Sequence, residues 1–338
     1  MKPCLLPRLQ KQKNFLQKYA IHLKRKNNFI KKIFPLLVLF GAVAVSFSQT
    51  PDSVKLWKKG GTGTLNFSQT SFSNWAAGGE NSLSATALFN LFSNYKKDKT
   101  TWDNTLDVAY GFLQTGSAPL RKSDDKIDFT SKYGHKTSNK WALAALVNFK
   151  SQFTQGYNYP NDSVAISDFL APAYILVSTG MDYKPVDYFS FFASPATGKI
   201  TIVNNQKLAD AGAFGVQKAL FDSLGVQTAS GKKIRYEFGA LISMKFKKEI
   251  VKNIMLSTKA DFFSNYFHDP QNIDLSWDFL LNMKVNKFVS ASISTTLVYD
   301  HDIPVPIYKD VAGTKTQIGT GPRTQFKEVF AIGFSYKI

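Results

Sequence analysis

The stretch Thr324–Ile338, T-Q-F-K-E-V-F-A-I-G-F-S-Y-K-I, alternates between large apolar side chains and small or polar ones. A period of two predicts a β-strand with one apolar face, because successive side chains of a strand point to opposite sides. Glu328 is the one charged residue on that face. The apolar face otherwise consists of Phe326, Phe330, Ile332, Phe334, Tyr336 and Ile338.

The same alternation recurs from Thr62 onward in long segments separated by turn-forming residues. We count about 12 such strands, within a range of roughly 10–14, and bacterial single-chain barrels have even strand numbers. The predicted fold is therefore all-β, a transmembrane antiparallel up-and-down β-barrel. Beyond residue 50 no run of about 18 uncharged apolar residues occurs, so no membrane-spanning helix is predicted there. The seventh strand, Tyr188–Val203, contains Pro195 and is expected to be bulged.

The predicted connections differ in length according to their order in the chain. Every second connection is short, at 96–99, 137–139, 184–187, 247–253 and 286–287. The others include all the long ones, at 115–125, 154–167, 204–233 and 301–323, with a short helix possible in Gln206–Leu220. Short periplasmic turns and longer external loops are typical of outer-membrane barrels.

The first 48 residues have the pattern of an export signal. The apolar run Ile33–Phe47 follows Lys31 and Lys32 and ends in small residues, which predicts a signal peptide cleaved near Ser48–Gln49. A membrane anchor is the alternative, but the run is short and Pro35 interrupts it. We therefore divide the chain into a signal peptide with an extended basic region (1–48), a short periplasmic segment (49–61) and an outer-membrane barrel (62–338).

The net charge of +18 is concentrated in this leader. Ten of the 42 basic residues and none of the 24 acidic ones lie in residues 1–48, which leaves +8 for the rest of the chain. The charge is thus assigned to targeting, and no nucleic-acid partner is predicted. Cys4 is the only cysteine, so no disulfide and no cysteine-based metal site is expected after cleavage.

The segment Gln69–Ser82, Q-T-S-F-S-N-W-A-A-G-G-E-N-S, resembles the signature near the mature N-terminus of a Bacteroidetes outer-membrane β-barrel family of unknown function. The leader ending S-F-S before Gln49 is similar to leaders of that phylum. The resemblance implies an outer-membrane barrel and brings no activity or catalytic residues. Ile338 departs from the terminal Phe common in such barrels, although Phe334 and Tyr336 keep the pattern. The role of Phe72–Asn81, a turn, a pore mouth or a partner site, is left open.

The polar faces of the predicted strands carry charges of both signs, which would point into the lumen. They read as a filter for ions or small polar solutes, or as ion pairs that fill a closed barrel. The predicted lumen-facing residues are Asp103, Asp107, Asp128, Lys132, Lys150, Asp182, Arg235, Glu237, Lys245, Lys259, Asp261, Asp274, Asp278 and Lys284.

Aromatic residues on the apolar faces cluster near the short turns, where an inner interfacial girdle is expected. This predicted membrane girdle consists of Tyr95, Trp102, Trp141, Tyr183 and Tyr336. For any one of them a core position is the alternative, but their shared position near the short turns favours the girdle.

No catalytic site is predicted. His135, His268 and His301 match no metal-binding spacing, and no G-x-S-x-G elbow occurs. We predict no enzyme, no metal and no cofactor.

Three hypotheses on function follow: a channel for small polar solutes or ions, a closed barrel whose external loops bind a partner, and, least favoured, a lipid-modifying enzyme. The expected partners are outer-membrane lipid, the outer-membrane assembly machinery and, for a channel, small polar solutes.

Overall fold

The computed structural model of the chain describes residues 56–72, 80–159, 161–286, 288–311 and 314–337. The predicted signal peptide, its cleavage point, most of the turn after the first strand and Ile338 lie outside these residues. Within the described residues, no helix is long and apolar enough to cross a membrane.

Twelve antiparallel strands form a closed barrel in which each strand pairs with its neighbours in sequence and β12 pairs with β1. The prediction of a twelve-stranded up-and-down barrel is confirmed. The strands are β1 (Trp57–Thr70), β2 (Ser82–Lys97), β3 (Thr100–Thr115), β4 (Arg121–Lys136), β5 (Trp141–Ser151), β6 (Ala173–Val186), β7 (Phe189–Ile202), β8 (Ile234–Val251), β9 (Ile254–Asn265), β10 (Ile273–Lys284), β11 (Val289–Tyr299) and β12 (Gln325–Lys337).

The alternation in sequence becomes an alternation between outside and lumen. In β5 the odd-numbered residues from Trp141 to Val147 are exposed, and the even-numbered ones from Ala142 to Asn148 are buried. The exposed set is apolar or aromatic, and the buried set includes the polar Asn148. Trp141, Leu143 and Val147 therefore face away from the lumen, as the apolar side chains of a membrane barrel do.

The two ends of the barrel differ in their connections. At one end, the turn end, residues 98–99, 137–140, 187–188, 252–253 and 285–288 connect the strands. At the other, the loop end, the connections are 71–81, 116–120, 152–172, 203–233, 266–272 and 300–324. Every connection of more than ten residues lies at the loop end, as the sequence predicts.

Several predicted boundaries were wrong. β4 begins at Arg121, so the predicted loop 115–125 shrinks to five residues, because 121–126 pair with β3. β8 extends to Val251 and leaves only two residues of the predicted turn 247–253. β1 begins at Trp57, so 57–61, which we placed before the first strand, pair with β2. In each case polar residues continue the strand pairing beyond the end of the apolar alternation. The alternation therefore does not mark where the strand ends.

The long loops contain small elements of their own. Hairpins are formed by Gly156–Tyr157 with Ala165–Ser167, by Leu220–Phe221 with Gln227–Ala229, and by Val305–Val311 with Thr314–Gly321. Helix α1 (Gln206–Asp210) lies inside the predicted helical range and is capped by the Asn205 side chain, which accepts hydrogen bonds from the Lys207 and Leu208 amides.

Asp168 joins two of these loops. Partial burial raises its pKa, but hydrogen bonds from Asn205 and Gln155 outweigh this and lower the pKa below its usual range.

A bulge interrupts β7, the strand that was expected to be bulged. The pairing with β8 shifts between Ser194 and Thr197, so Pro195 and Ala196 oppose a single position. Because the bulge adds one residue, the lumen-facing positions change from even numbers, such as Phe192, to odd numbers, such as Lys199. The bulge thereby turns Lys199 inward.

The barrel closes through a short seam between its terminal strands. β1 pairs with β2 along all 14 of its residues, but with β12 only over Thr62–Asn66, opposite Gly333–Lys337. Gly333 lies at the end of this seam, where the two backbones approach closely. A Cβ on Gly333 would overlap the Leu65 backbone oxygen and lie 2.8 Å from the Asn66 Cα. The seam therefore depends on a residue without a side chain.

Gly333→Ala should weaken closure, because overpacking against a backbone that cannot move costs about 1–3 kcal/mol. The fraction that keeps the compact, heat-modifiable mobility on an unboiled gel should fall, with a lower guanidinium midpoint. Gly198→Ala is the matched control, since a Cβ there meets nothing within 4 Å. Equal behaviour of the two variants would contradict the role assigned to Gly333.

Candidate functional site

The lumen contains three groups of charged side chains, here called the turn-end, middle and loop-end tiers. Each combines lysine or arginine with carboxylates at ion-pair distance. Burial of a charge is tolerated when an opposite charge and hydrogen bonds compensate it, so the pairing follows from the enclosure.

The turn-end tier consists of Asp103, Lys132, Asp182 and Lys184. Lys184 Nζ lies 2.8 Å from Asp103 Oδ2 and 3.4 Å from Asp182 Oδ2. Lys132 Nζ lies 2.8 Å from Asp182 Oδ1, and Ser190 Oγ donates to the same oxygen at 2.7 Å. The tier is neutral and links β3, β4 and β6.

The middle tier consists of Lys126, Asp128, Lys150, Lys259, Asp261 and Asp278, and is also neutral. Lys126 Nζ on β4 lies 3.6 Å from Asp278 Oδ1 on β10, six strands away and thus on the opposite wall. Lys150 Nζ lies 3.9 Å from both Asp128 Oδ2 and Asp261 Oδ2. These contacts cross the lumen near its centre and narrow it.

The loop-end tier consists of Lys199, Arg235, Glu237, Asp274, Asp300 and Asp302. Lys199 Nζ lies 2.7 Å from Asp274 Oδ2, 3.3 Å from Asp300 Oδ2 and 3.4 Å from Glu237 Oε2. Arg235 pairs with Glu237 at 2.6 Å and with Asp302. Two cations face four carboxylates, so this tier has an excess of two negative charges.

One side of the lumen is filled. Ala144, Leu146, Phe192, Leu241 and Phe263 point inward from β5, β7, β8 and β9 and form a buried apolar cluster. The flanking tiers pack against it, with Lys199 Nζ 5.1 Å from the Phe263 ring centroid and Lys132 Nζ 5.9 Å from that of Phe192. Here the interior resembles the core of a soluble protein.

The rest of the lumen is less closely packed. In the middle tier the Lys126 and Asp278 side chains keep 38% and 29% of their surface accessible, against 9% for Lys199 and 1% for Glu237. The lumen-facing residues of β11 that lie beside them are small and polar, from Ser290 to Thr296. The side chains on this side therefore fill less of the lumen than the apolar cluster does.

The predicted lumen residues lie at lumen-facing positions, and most belong to a tier. Asp107 contacts the Asn90 side-chain amide, Lys245 lies beside Lys259, and Lys284 is exposed at the turn end. Sequence reasoning missed Lys126, Lys184, Lys199, Asp300 and Asp302. Lys184 was assigned to the turn 184–187, and Lys126, next to the predicted loop 115–125, was not included, although they share the parity of Asp182 and Asp128. The bulge at Pro195 changes the face on which Lys199 lies, so alternation alone does not assign this residue to the lumen. No sequence signal identifies the loop carboxylates Asp300 and Asp302.

The predicted girdle residues lie on the outer surface near the turn end. The Trp141 and Tyr183 rings are 4.7 Å apart, and Trp57, which we had not included, lies 5.1 Å from Tyr95 and 5.8 Å from Trp102. Tyr336 is exposed on the same side.

A small cavity of 290 Å³ lies at the loop end. Two tyrosines of the loop 152–172 and charged residues of β4 and β12 surround it; its lining includes Lys122, Asp124, Tyr157, Tyr159, Ile166 and Lys327. Lys327 Nζ on β12 reaches Asp124 Oδ1 on β4 at 2.7 Å. In the described residues, no group of three or more His, Cys, Asp or Glu side chains is placed to hold a metal ion.

Part of the chain is similar to a family of unknown function. The family described as "Protein of unknown function (DUF3078)" matches residues 67–157, which include the Gln69–Ser82 segment. The match runs from Phe67 in β1 to the loop after β5 and covers about a quarter of the chain. No curated protein matches.

Three of the solved structures that match this chain are the following. The COG4313 outer membrane channel from Pseudomonas putida F1 is 9% identical, with a TM-score of 0.35 over 86% of this chain and 100% of that one. The NanC porin is 8% identical, with a TM-score of 0.33 over 82% and 100%. The translocator domain of the autotransporter NalP from Neisseria meningitidis is 10% identical, with a TM-score of 0.29 over 95% and 97%. Such values are too low for the activities of these proteins to be transferred to this chain.

Lys199→Met should destabilise the barrel, because it leaves three carboxylates together in a buried site. Removing one partner of a buried ion pair costs about 3 kcal/mol or more. The free energy of unfolding in lipid vesicles, measured by guanidinium titration, should fall by that order. Lys97→Met, at an exposed position at the turn end of β2, is the control. An unchanged free energy for Lys199→Met would show that water, not pairing, compensates these carboxylates.

Proposed function

We propose that this protein is an integral outer-membrane β-barrel. The support is its outer surface: the large side chains of β12 are apolar and exposed, with Phe330 at 63% and Phe334 at 65%. Leu65, Phe67 and Leu143 continue this belt on β1 and β5. A soluble protein would not leave such a band in water, whereas a closed barrel can place it in lipid because its backbone groups pair internally. Outer-membrane lipid is then its surrounding partner.

The export signal near Ser48–Gln49 and insertion by the outer-membrane assembly machinery complete this proposal. The turn end would face the periplasm and the long loops the exterior, in keeping with the loop asymmetry. The aromatic side chains from Trp57 to Tyr336 near the turn end would form the inner interfacial girdle. Membership in a Bacteroidetes family remains a prediction.

Within the membrane, the barrel is proposed to be a narrow channel for ions and small polar solutes. The observation that carries this is the accessible charge of the middle tier, where Lys126 and Asp278 meet across the lumen yet remain partly exposed. A plug packed to exclude water would bury them. Because three tiers constrict the path, large solutes are excluded and passage depends on charge.

The loop-end tier should make the channel prefer cations. Its four carboxylates outnumber its two cations at the external mouth, while the middle and turn-end tiers are neutral. Excess negative charge at a pore mouth raises the local cation concentration and repels anions.

A closed barrel whose external loops bind a partner is the second candidate. The contact of Lys126 with Asp278 favours it, because it bridges opposite walls. The expectation that the chain is not an enzyme stays a prediction.

Single-channel recording of the chain from Gln49 onward in a planar bilayer tests the channel. We expect small discrete openings with a cation-selective reversal potential in a salt gradient. Asp274→Asn with Asp300→Asn should remove most of this preference, since it neutralises the excess charge of the loop-end tier. Asp98→Asn with Asp187→Asn, two carboxylates in the turns at the opposite end, should leave it nearly unchanged.

A barrel that shows the compact, heat-modifiable mobility of a folded barrel but passes no current would contradict the channel. In that case the closed barrel is favoured. Openings whose selectivity does not respond to the loop-end variants would place the selective step elsewhere in the lumen.

A further inference from the structure

The seam between β1 and β12 is paired only in its turn-end half. Beyond the pair Asn66–Gly333, the register would continue with Phe67 opposite Ile332 and reach Thr70 opposite Val329. Both strands do continue: β1 pairs with β2 up to Thr70, and β12 pairs with β11 from Gln325 onward. Yet these described residues form no β1–β12 ladder.

Exposure of the side chains agrees with an opening at this place. On the lumen side of β1, Thr62 and Thr64 are partly buried and Asn66 is buried, but Ser68 and Thr70 are exposed. On β12, exposure occurs on both faces from Gln325 to Glu328, and the lumen-facing Lys327 side chain is 46% exposed. The two strands therefore separate towards the loop end.

The opening lies within the apolar belt. The outward residues of the unpaired part of β12 are Phe326, Phe330 and Ile332, with only Glu328 charged. About ten residues of a strand cross a membrane. Phe326 lies ten residues before the girdle residue Tyr336. The unpaired half thus spans the outer leaflet. Unpaired backbone N–H and C=O groups are costly in hydrocarbon. A gap between the strands is therefore stable only where polar groups from the lumen hydrogen-bond to these backbone groups.

The cavity at the loop end shares Lys327 with the unpaired part of β12. Lys327 contacts Asp124 across the lumen, and both side chains line the cavity. Tyr157, Tyr159 and Ile166 line it as well. The Arg121 guanidinium carbon lies 4.9 Å from the Tyr159 ring centroid. The lining combines aromatic and apolar surface with charged groups, which suits a small molecule with an apolar body and a polar group.

We propose that the gap between β1 and β12 is a lateral opening through which a small amphipathic molecule moves between this cavity and the outer leaflet. The polar group would remain with Lys327 and Asp124 while the apolar part passes between the strands. The proposal rests on the membrane location given above, and it does not require the ion path.

Paired cysteines test the opening directly. The sequence after the leader contains no cysteine, so only introduced thiols react. Ser68→Cys with Ala331→Cys places two lumen-facing thiols across the proposed gap, and Thr64→Cys with Ser335→Cys places two across the paired seam. We expect rapid disulfide formation for the Thr64/Ser335 pair. The Ser68/Ala331 pair should oxidise many-fold more slowly and yet be joined by a longer bismaleimide.

Equal oxidation of the two pairs would overturn the proposal, because it would place the strands in contact along the whole seam. If the Ser68/Ala331 variant does not fold, Thr70→Cys with Val329→Cys, at the next lumen-facing position of the same register, provides the same comparison.

Access from the membrane is tested with 1-azidonaphthalene, a small photolabel that partitions into lipid. In vesicles, irradiation should label the segment 152–167 around Tyr157 and Tyr159. Drawing the Ser68/Ala331 pair together with a short thiol cross-linker should reduce this labelling several-fold. Unchanged labelling would overturn the lateral route.

Ion conductance provides the internal control. The cross-linked protein should conduct as before, since the middle tier is untouched. If labelling is lost and conductance is retained, the lateral opening is supported. If no variant conducts, the channel is contradicted and the lateral opening is not affected.

Discussion

Backbone hydrogen bonding is the constraint on which this structure depends. A chain that places an apolar surface in lipid must satisfy its amide and carbonyl groups internally, and a sheet does so only when its first and last strands meet. Here the meeting involves five residue pairs, and Gly333 permits the close approach. The other pairings are longer, so closure depends on the weakest edge of the sheet.

The same logic explains the lumen. A barrel of this size encloses more space than its side chains fill, and the strands place a polar residue inward at every second position. Apolar side chains fill the wall from β5 to β9, and cross-lumen ion pairs constrict the remainder. The interior therefore combines a packed apolar wall with a more accessible, charged side.

Much of the fold could be predicted from alternation alone, because a period of two assigns each residue to a face without knowledge of its partners. The number of strands, their order and the side with long loops followed. Strand ends were less predictable, since ladders such as Arg121–Lys126 continue through polar residues outside the apolar belt. Of the candidate site, the faces were predictable but the partners were not. The contact of Lys126 with Asp278 depends on the curvature of the whole sheet, and the inward turn of Lys199 depends on the bulge at Pro195.

The seam also has a kinetic meaning. Its partners lie 267 to 275 residues apart in sequence, whereas the neighbouring strands of the barrel are joined by turns or loops. Loop-closure entropy delays contacts between distant parts of a chain, so the hairpins should assemble and curl before the terminal strands meet. The last event in folding would then be the joining of β1 to β12, and until it occurs the protein is an open sheet with two unpaired edges.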